Sequence, residues 1–292
     1  MIDAMSPRSA ALERAPLVAH CAAATAAHPL LRAWCEPRES LPRIAELERR
    51  RHAVEAEDGI ARPAFHAQTP DLLADRLHYE TRIAGRGVLA TRDGSAHDVF
   101  NALVWLRHPH LKWALNARQV ADIAVAGPRV RTRGQCALTH FDEAGAIVWL
   151  ADDTLAAAWD AHDWRALFVD RRDDWGRRIA VTVFGHALVE HVWQGHVLPV
   201  AKCLAVRVDA GELVAQGDGQ VLPGAWPQME ARIAAAIRRG DLLADPQELR
   251  PLPLAGLRGW HAGDTAAFVA AAPCFRPLRA GRRYPLPWRA GT

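Results

Sequence analysis

Apolar and polar positions along most of this chain recur with a helical period. The pattern predicts helices over 41–56, 97–106, 111–120, 153–161 and 227–240, the last closed by Gly240. Apolar runs at 179–184 and 201–208 are typical of buried strands, although 179–184 can also be read as the start of the helix that follows it. Two apolar stretches flank "DEAG" within "QCALTHFDEAGAIVWLADD" (135–153), which predicts a β-hairpin.

These elements predict an α+β protein, predominantly helical, with a small β-sheet or hairpin and an extended C-terminal tail. We divide the chain into an N-terminal helical segment (1–60), which includes an Ala-rich helix over 8–34, and an α+β core (61–245). The remainder (246–292) is rich in Pro, Gly and Arg and is expected to wrap the core. We expect the three parts to form one globular unit.

Composition narrows the class of protein. The chain has 292 residues, of which 50% are hydrophobic, but it has no apolar run long enough to span a membrane. The N-terminus lacks the apolar stretch of a signal peptide. The five cysteines are widely spaced and form no CxxC pair, which favours reduced thiols in the cytoplasm over a zinc ribbon or a disulfide framework.

The basic residues are unusual, because 36 positions carry Lys or Arg and only two of these, Lys112 and Lys202, are lysines. We attribute most of this bias to GC-rich codons. A net charge of +3 argues against a dedicated nucleic-acid-binding protein. Three arginine clusters, at 129–133, 171–178 and 279–283, still allow a local site for an anionic or small-molecule ligand.

The first candidate site lies in the helix over 97–106. His97, Asp98 and Asn101 fall on one stripe of a helical wheel, opposite an apolar face, and His97 and Asn101 are one turn apart. The alternative is structural: Ser95 precedes Asp98 by three residues, which is a helix N-cap pattern, and the other two side chains would simply face solvent.

The second candidate site is "FGHALVEHVW" (184–193). His186 and Glu190 are one helical turn apart in an almost wholly apolar segment, so they could hold a divalent metal ion or transfer a proton. The alternative is a buried ion pair. Asp142 and Glu143 are assigned to the predicted turn, and a ββα-metal nuclease built around His140 is a further alternative. The sequence contains none of GxGxxG, GxxxxGK[ST], GxSxG and HExxH.

Several blocks in order, "HDVFNALVWLRHPHLKWALNARQ", "ALTHFDEAGAIV", "LFVDRR", "FGHALVE" and "PLPLAGLRGW…CFRPLR", resemble the bacterial domain-of-unknown-function family number 3025 over roughly 75–280. The resemblance implies a bacterial protein, soluble or membrane-associated, and carries over no activity and no residue role. The chain departs from the family pattern at "RHPH", which argues against a family site at His108 and His110.

The residues favour a metal-assisted hydrolase as the first functional hypothesis. In it, His97, Asp98 and Asn101 form the catalytic set and face the metal ligands His186 and Glu190 across a pocket between two helices. The alternative is a non-catalytic protein that binds an anionic partner through its arginine clusters. A third hypothesis is a purely structural or interaction protein.

Overall fold

The computed structural model describes residues 30–31, 41–216, 220–261 and 265–290. The predicted helix over 8–34 therefore lies outside the described residues, apart from Leu30 and Leu31, which are helical and buried. The fold is α+β and predominantly helical, as predicted, around one continuous hydrophobic core.

Helices and strands are interspersed along the chain. The α-helices are α1 (Ile44–Asp58), α2 (Pro70–Leu73), α3 (Tyr79–Arg86), α4 (Ala96–Arg107), α5 (Pro109–Ala126), α6 (Arg133–Ala144), α7 (Asp153–Asp160), α8 (His186–Trp193), α9 (Trp226–Arg239) and α10 (Ala266–Ala271). The strands are β1 (Ala64–Ala67), β2 (Val88–Thr91), β3 (Gly145–Leu150), β4 (Ile179–Val183), β5 (Val200–Arg207), β6 (Leu213–Ala215), β7 (Val221–Pro223), β8 (Arg250–Pro253) and β9 (Trp288–Arg289).

The main sheet has the strand order β4-β3-β5-β8, and β9 also pairs with β5. Strand β3 is antiparallel to β4 and parallel to β5, and every residue of β3 is buried. Two smaller sheets, β1 with β2 and β6 with β7, are not hydrogen-bonded to the strands of the main sheet. Because β3 lies between two neighbours and under helices, its sequence is a continuous apolar run and does not alternate.

The helices predicted over 97–106 and 111–120 are separate, since α4 ends at Arg107 and α5 begins at Pro109. Proline lacks an N–H and so is tolerated in the first turn of α5 but not in the interior of a longer helix. The predicted strands at 179–184 and 201–208 correspond to β4 and β5. The helix predicted over 227–240 is α9, which ends at Gly240 with φ 86°.

The hairpin predicted over 135–153 is wrong in its first half. Residues Arg133–Ala144 form helix α6, and only Gly145–Leu150 is a strand. The helix begins at a capping box, in which Thr132 Oγ1 accepts from Gln135 N and Gln135 Oε1 accepts from Thr132 N. The buried side chains of Ala137, Leu138 and Phe141 follow helical spacing. A nuclease hairpin around His140 is thereby excluded.

The segment after residue 245 packs against the body. Strand β8 extends one edge of the sheet, and β9 pairs with the last residues of β5. The buried Arg250 side chain donates to Asp160 Oδ1 (2.6 Å) and to the carbonyl oxygen of Pro285.

The boundaries between the three parts of the chain, at residues 60 and 245, stay predictions. In the described part of the chain, no helix is both long and apolar enough to cross a membrane.

Candidate metal centre

The stripe predicted on α4 does not face solvent. Asp98 and Asn101 are buried, and His97 is partly exposed. Ser95 Oγ accepts from the backbone N–H of Asp98, as the N-cap pattern predicts. The Asp98 carboxylate accepts from the backbone N–H and guanidinium of Arg92, at 2.6–3.0 Å. Asp98 therefore fixes the loop that leads into α4.

His97 meets both candidate residues of α8. Its Nδ1 lies 2.9 Å from Glu190 Oε2, and its Nε2 lies 3.1 Å from His186 Nε2. The two imidazole rings are edge to face, with centroids 4.5 Å apart. An ionised carboxylate only accepts hydrogen bonds, so Nδ1 of His97 donates to Glu190; in the neutral tautomer this leaves a lone pair on Nε2. The second oxygen of Glu190 accepts from Gln194 Nε2 (3.0 Å).

A third group completes this cluster, and the sequence reasoning missed it. Glu143 Oε2 lies 3.5 Å from His186 Nε2. Glu143 lies in the last turn of α6, directly before β3, whereas the hairpin prediction places it in a turn. The pattern Thr132-x-x-Gln135 was the signal that could have revealed α6.

Two glycines bring α6 and α8 together. Gly145 O accepts from the backbone N–H groups of Phe184 (2.9 Å) and Gly185 (2.8 Å), which ties the start of α8 to the start of β3. A Cβ at position 185 would lie 2.5 Å from Glu143 O and also collide with the backbone of Ala144 and Gly145. Only glycine allows this approach, and it places His186 beside Glu143.

His97, Glu143 and His186 each offer one ligand atom, and these atoms lie within 4.8 Å of one another. Zn–N and Zn–O bonds of about 2.1 Å give tetrahedral edges of about 3.4 Å. The separations of 3.1 and 3.5 Å at His186 Nε2 are close to that length. Within the described residues, these three side chains form the one group of His, Cys, Asp or Glu residues that lie close enough together to hold a metal ion.

A second network lies beside the three groups. The buried Lys112 ammonium donates to Asn101 Oδ1 (2.9 Å) and to Asp142 Oδ1 (2.6 Å). Asn101 Nδ2 donates to the Tyr79 hydroxyl (2.8 Å). Asn101 therefore orients Lys112 and Tyr79, and the polar stripe of α4 joins two networks in one cavity.

Burial and neighbouring charges set the protonation states. Burial lowers the pKa of His186 to about 4, so its imidazole is neutral at pH 7. Burial and the charge of Asp142 raise the pKa of Glu143. Burial alone would raise the pKa of Asp142, but the Lys112 ammonium beside it holds the pKa below its usual value. A bound cation would stabilise the ionised form of Glu143 and use the lone pair of His186.

These groups line a cavity of roughly 420 Å³ between α3, α4, α5 and α6. Glu80 and Asn116 form another part of its wall, joined by a hydrogen bond of 2.7 Å from Asn116 Nδ2 to Glu80 Oε2. Burial raises the pKa of Glu80. The volume falls within the range of pockets that enclose a small molecule.

The arginine clusters take different positions. In the first, Arg131 lines the cavity of the candidate site and Arg133 pairs with Asp245 (2.6 Å). In the second, Arg171 and Arg178 both pair with Asp152. The third, at 279–283, lies on a separate cavity at the C-terminal segment.

Fold and site together define an α+β protein with a two-histidine, one-carboxylate cluster at the wall of a cavity. The chain belongs to a family described as "Protein of unknown function (DUF3025)", whose model matches residues 64–279, well over half of the chain. The matched range includes His97, Glu143, His186 and Glu190. Searches of curated proteins and of solved structures found no match.

Proposed function

We propose that this protein is a metal-assisted hydrolase whose single divalent ion is held by His97, Glu143 and His186. The observation that carries the proposal is the spacing of the three groups, with His97 Nε2 and Glu143 Oε2 at 3.1 and 3.5 Å from His186 Nε2. Two imidazoles and one carboxylate form a common ligand set of catalytic zinc sites and leave a coordination position for water.

The contact between Glu190 and His97 supports this assignment. A metal-binding histidine usually donates its other ring N–H to a carboxylate, which fixes the tautomer and makes the ligating nitrogen more basic. Glu190 Oε2 accepts from His97 Nδ1 in this way (2.9 Å). In the proposal Glu190 is therefore a positioning residue and not a ligand, and Glu143 takes the place first given to Glu190.

The cavity supplies what hydrolysis would need besides the ion. A divalent ion lowers the pKa of a bound water and polarises a carbonyl or phosphoryl oxygen. Asp142 is the candidate proton acceptor, because it precedes Glu143 in α6 and lines the same cavity. Lys112 fixes Asp142 and adds a positive charge beside it. Asn101 positions Lys112, and Asp98 acts on the fold through Arg92.

A cytoplasmic location is part of the proposal. Cys136, Cys203 and Cys274 are free thiols, which supports a reducing compartment.

Metal content is the first test. The untagged full chain would be purified and measured by plasma mass spectrometry, alongside Glu143→Gln, Glu190→Gln and His186→Ala. We expect near-stoichiometric metal in the wild type and at least a tenfold lower occupancy in Glu143→Gln. Glu190→Gln should weaken metal affinity by roughly 10- to 100-fold. His191→Ala is the matched control, because His191 is exposed and adjacent to Glu190 but lies outside the cluster.

Activity is the second test. Nitrophenyl acetate, nitrophenyl phosphate and a dipeptide anilide would be screened with the metal-loaded wild type, after chelation, and after metal is restored. Turnover that chelation abolishes, metal restores and Glu143→Gln lacks would support the hydrolase. Equal metal content in wild type and Glu143→Gln would overturn the metal site. Full metal occupancy without hydrolysis across a broad ester, phosphoester and amide screen would overturn the hydrolase.

A further inference from the structure

A second cavity, of roughly 760 Å³, lies between the C-terminal segment and the edge of the main sheet. Its charged lining is basic throughout the described residues. No carboxylate among the described residues lines it. Four cationic side chains and two imidazoles do: Lys202, Arg276, Arg279, Arg282, His140 and His162. The cavity is far from neutral, although the whole chain carries a net charge of only +3.

The positive charges of this cavity are not balanced by ion pairs. Within the described part of the chain, Lys202, Arg276 and Arg279 form no ion pair. Two nearby carboxylates are already engaged, since Asp160 pairs with Arg250 and Asp245 pairs with Arg133, each at 2.6 Å. Clustered like charges repel one another unless an anion compensates them.

The wall of the cavity is fixed by contacts between the C-terminal segment and the body. His162 Nε2 lies 3.0 Å from the Tyr284 hydroxyl, and His162 Nδ1 lies 3.1 Å from Arg276 O. The guanidinium of Arg282 lies over the Tyr284 ring, 4.3 Å from its centroid, and donates to Gln247 O. These contacts hold Arg282 and Tyr284 in place before any ligand arrives, which lowers the entropic cost of binding.

We infer that this cavity binds a small phosphorylated ligand, with its phosphate groups on Arg276, Arg279 and Arg282. A guanidinium presents parallel N–H groups that match two phosphate oxygens, and a di- or triphosphate carries enough negative charge for several of them. The volume suits a ligand of nucleotide size. The cationic side chains line one cavity of limited volume, which favours a small molecule over a nucleic-acid strand, because a strand needs a continuous basic groove.

Isothermal titration calorimetry of the full chain with pyrophosphate, and separately with ATP, measures the affinity for each probe and tests the inference. EDTA in both solutions keeps metal chemistry out of the measurement. We expect both probes to bind, and the double variant Arg276→Ala/Arg279→Ala to bind them at least tenfold more weakly. Both arginines are exposed, so the variant should fold, and circular dichroism checks this.

Two controls make the test decisive. Arg283→Ala removes the same charge from the same arginine cluster, but Arg283 does not line the cavity, so it should change affinity less than twofold. Glu143→Gln should bind both probes normally, which separates this cavity from the candidate metal centre. Absence of binding in the wild type would overturn the inference. An equal loss of affinity in Arg283→Ala would also overturn it. So would tighter binding of a single-stranded 12-nucleotide DNA than of pyrophosphate and ATP, because either result indicates a diffuse surface for polyanions.

Discussion

The two cavities differ in whether their charged side chains are paired with groups of opposite charge. Around the candidate metal centre the charged groups are buried or partly buried and contact one another, as in the links from Lys112 to Asp142 and from His97 to Glu190. In the cavity at the C-terminal segment Lys202, Arg276 and Arg279 are exposed, and they lack acidic partners within the described residues. A change of charge should therefore affect stability at the first cavity and ligand affinity at the second.

The largest effect should come from Lys112. We expect Lys112→Met to lower the free energy of unfolding by about 3 kcal/mol, because it leaves the Asp142 carboxylate without its cation. Urea denaturation measures this value. In Lys112→Met/Asp142→Asn the loss should be clearly smaller, since no uncompensated charge remains. Equal losses in the single and double variants would contradict the idea that pairing stabilises this cavity.

Asp98 should matter for the fold and not for the metal. Asp98→Asn weakens its contacts with the backbone and guanidinium of Arg92, so we expect a loss of about 1–2 kcal/mol in unfolding free energy. Metal content should stay at the wild-type level. A variant with normal stability but no metal would return Asp98 to the catalytic set that the sequence suggested.

Acid should destabilise the buried region through His108. Burial lowers the pKa of this side chain, so the unfolded state binds the proton more readily than the native state. Stability is therefore lost as pH falls below about 6.5, the pKa of an unperturbed histidine. Between pH 7.5 and 5.5 we expect His108→Gln to lose less stability than the wild type, by a difference on the order of 1 kcal/mol. Parallel pH profiles in urea denaturation would contradict this.

The smallest effect should come from Arg279. Arg279→Ala removes an exposed cation with no acidic partner among the described residues, so the unfolding free energy should change by less than about 0.5 kcal/mol. Thermal denaturation without phosphate checks this. A larger destabilisation would mean that Arg279 supports the fold, and the contrast between the two cavities would fail.

Local patterns predicted much of the fold. Pro109 marks the break between α4 and α5, and Gly240 marks the end of α9. These features depend on single residues and their neighbours, so one sequence is enough to read them. Helix α6 was missed because the apolar run of β3 follows it directly and suggested a second strand. The capping box at Thr132 favoured the helix.

The candidate site was predictable only in part. His97, His186 and Glu190 were expected to face one another, and the structure brings them together. Glu143 was not expected, because its place depends on α6. The pairing of Lys112 with Asp142 joins residues 30 positions apart. No periodicity in a single sequence reports such a contact.

Gly185 sets a condition for recognising this site in other sequences. His97, Glu143 and His186 are common residue types, and a chain can carry all three at matching positions without bringing them together. A methyl group at position 185 would collide with the backbone at Glu143, Ala144 and Gly145. A sequence with alanine there would have to separate α6 from α8, even if both histidines were kept. A search for proteins that share this centre should therefore require glycine before the second histidine.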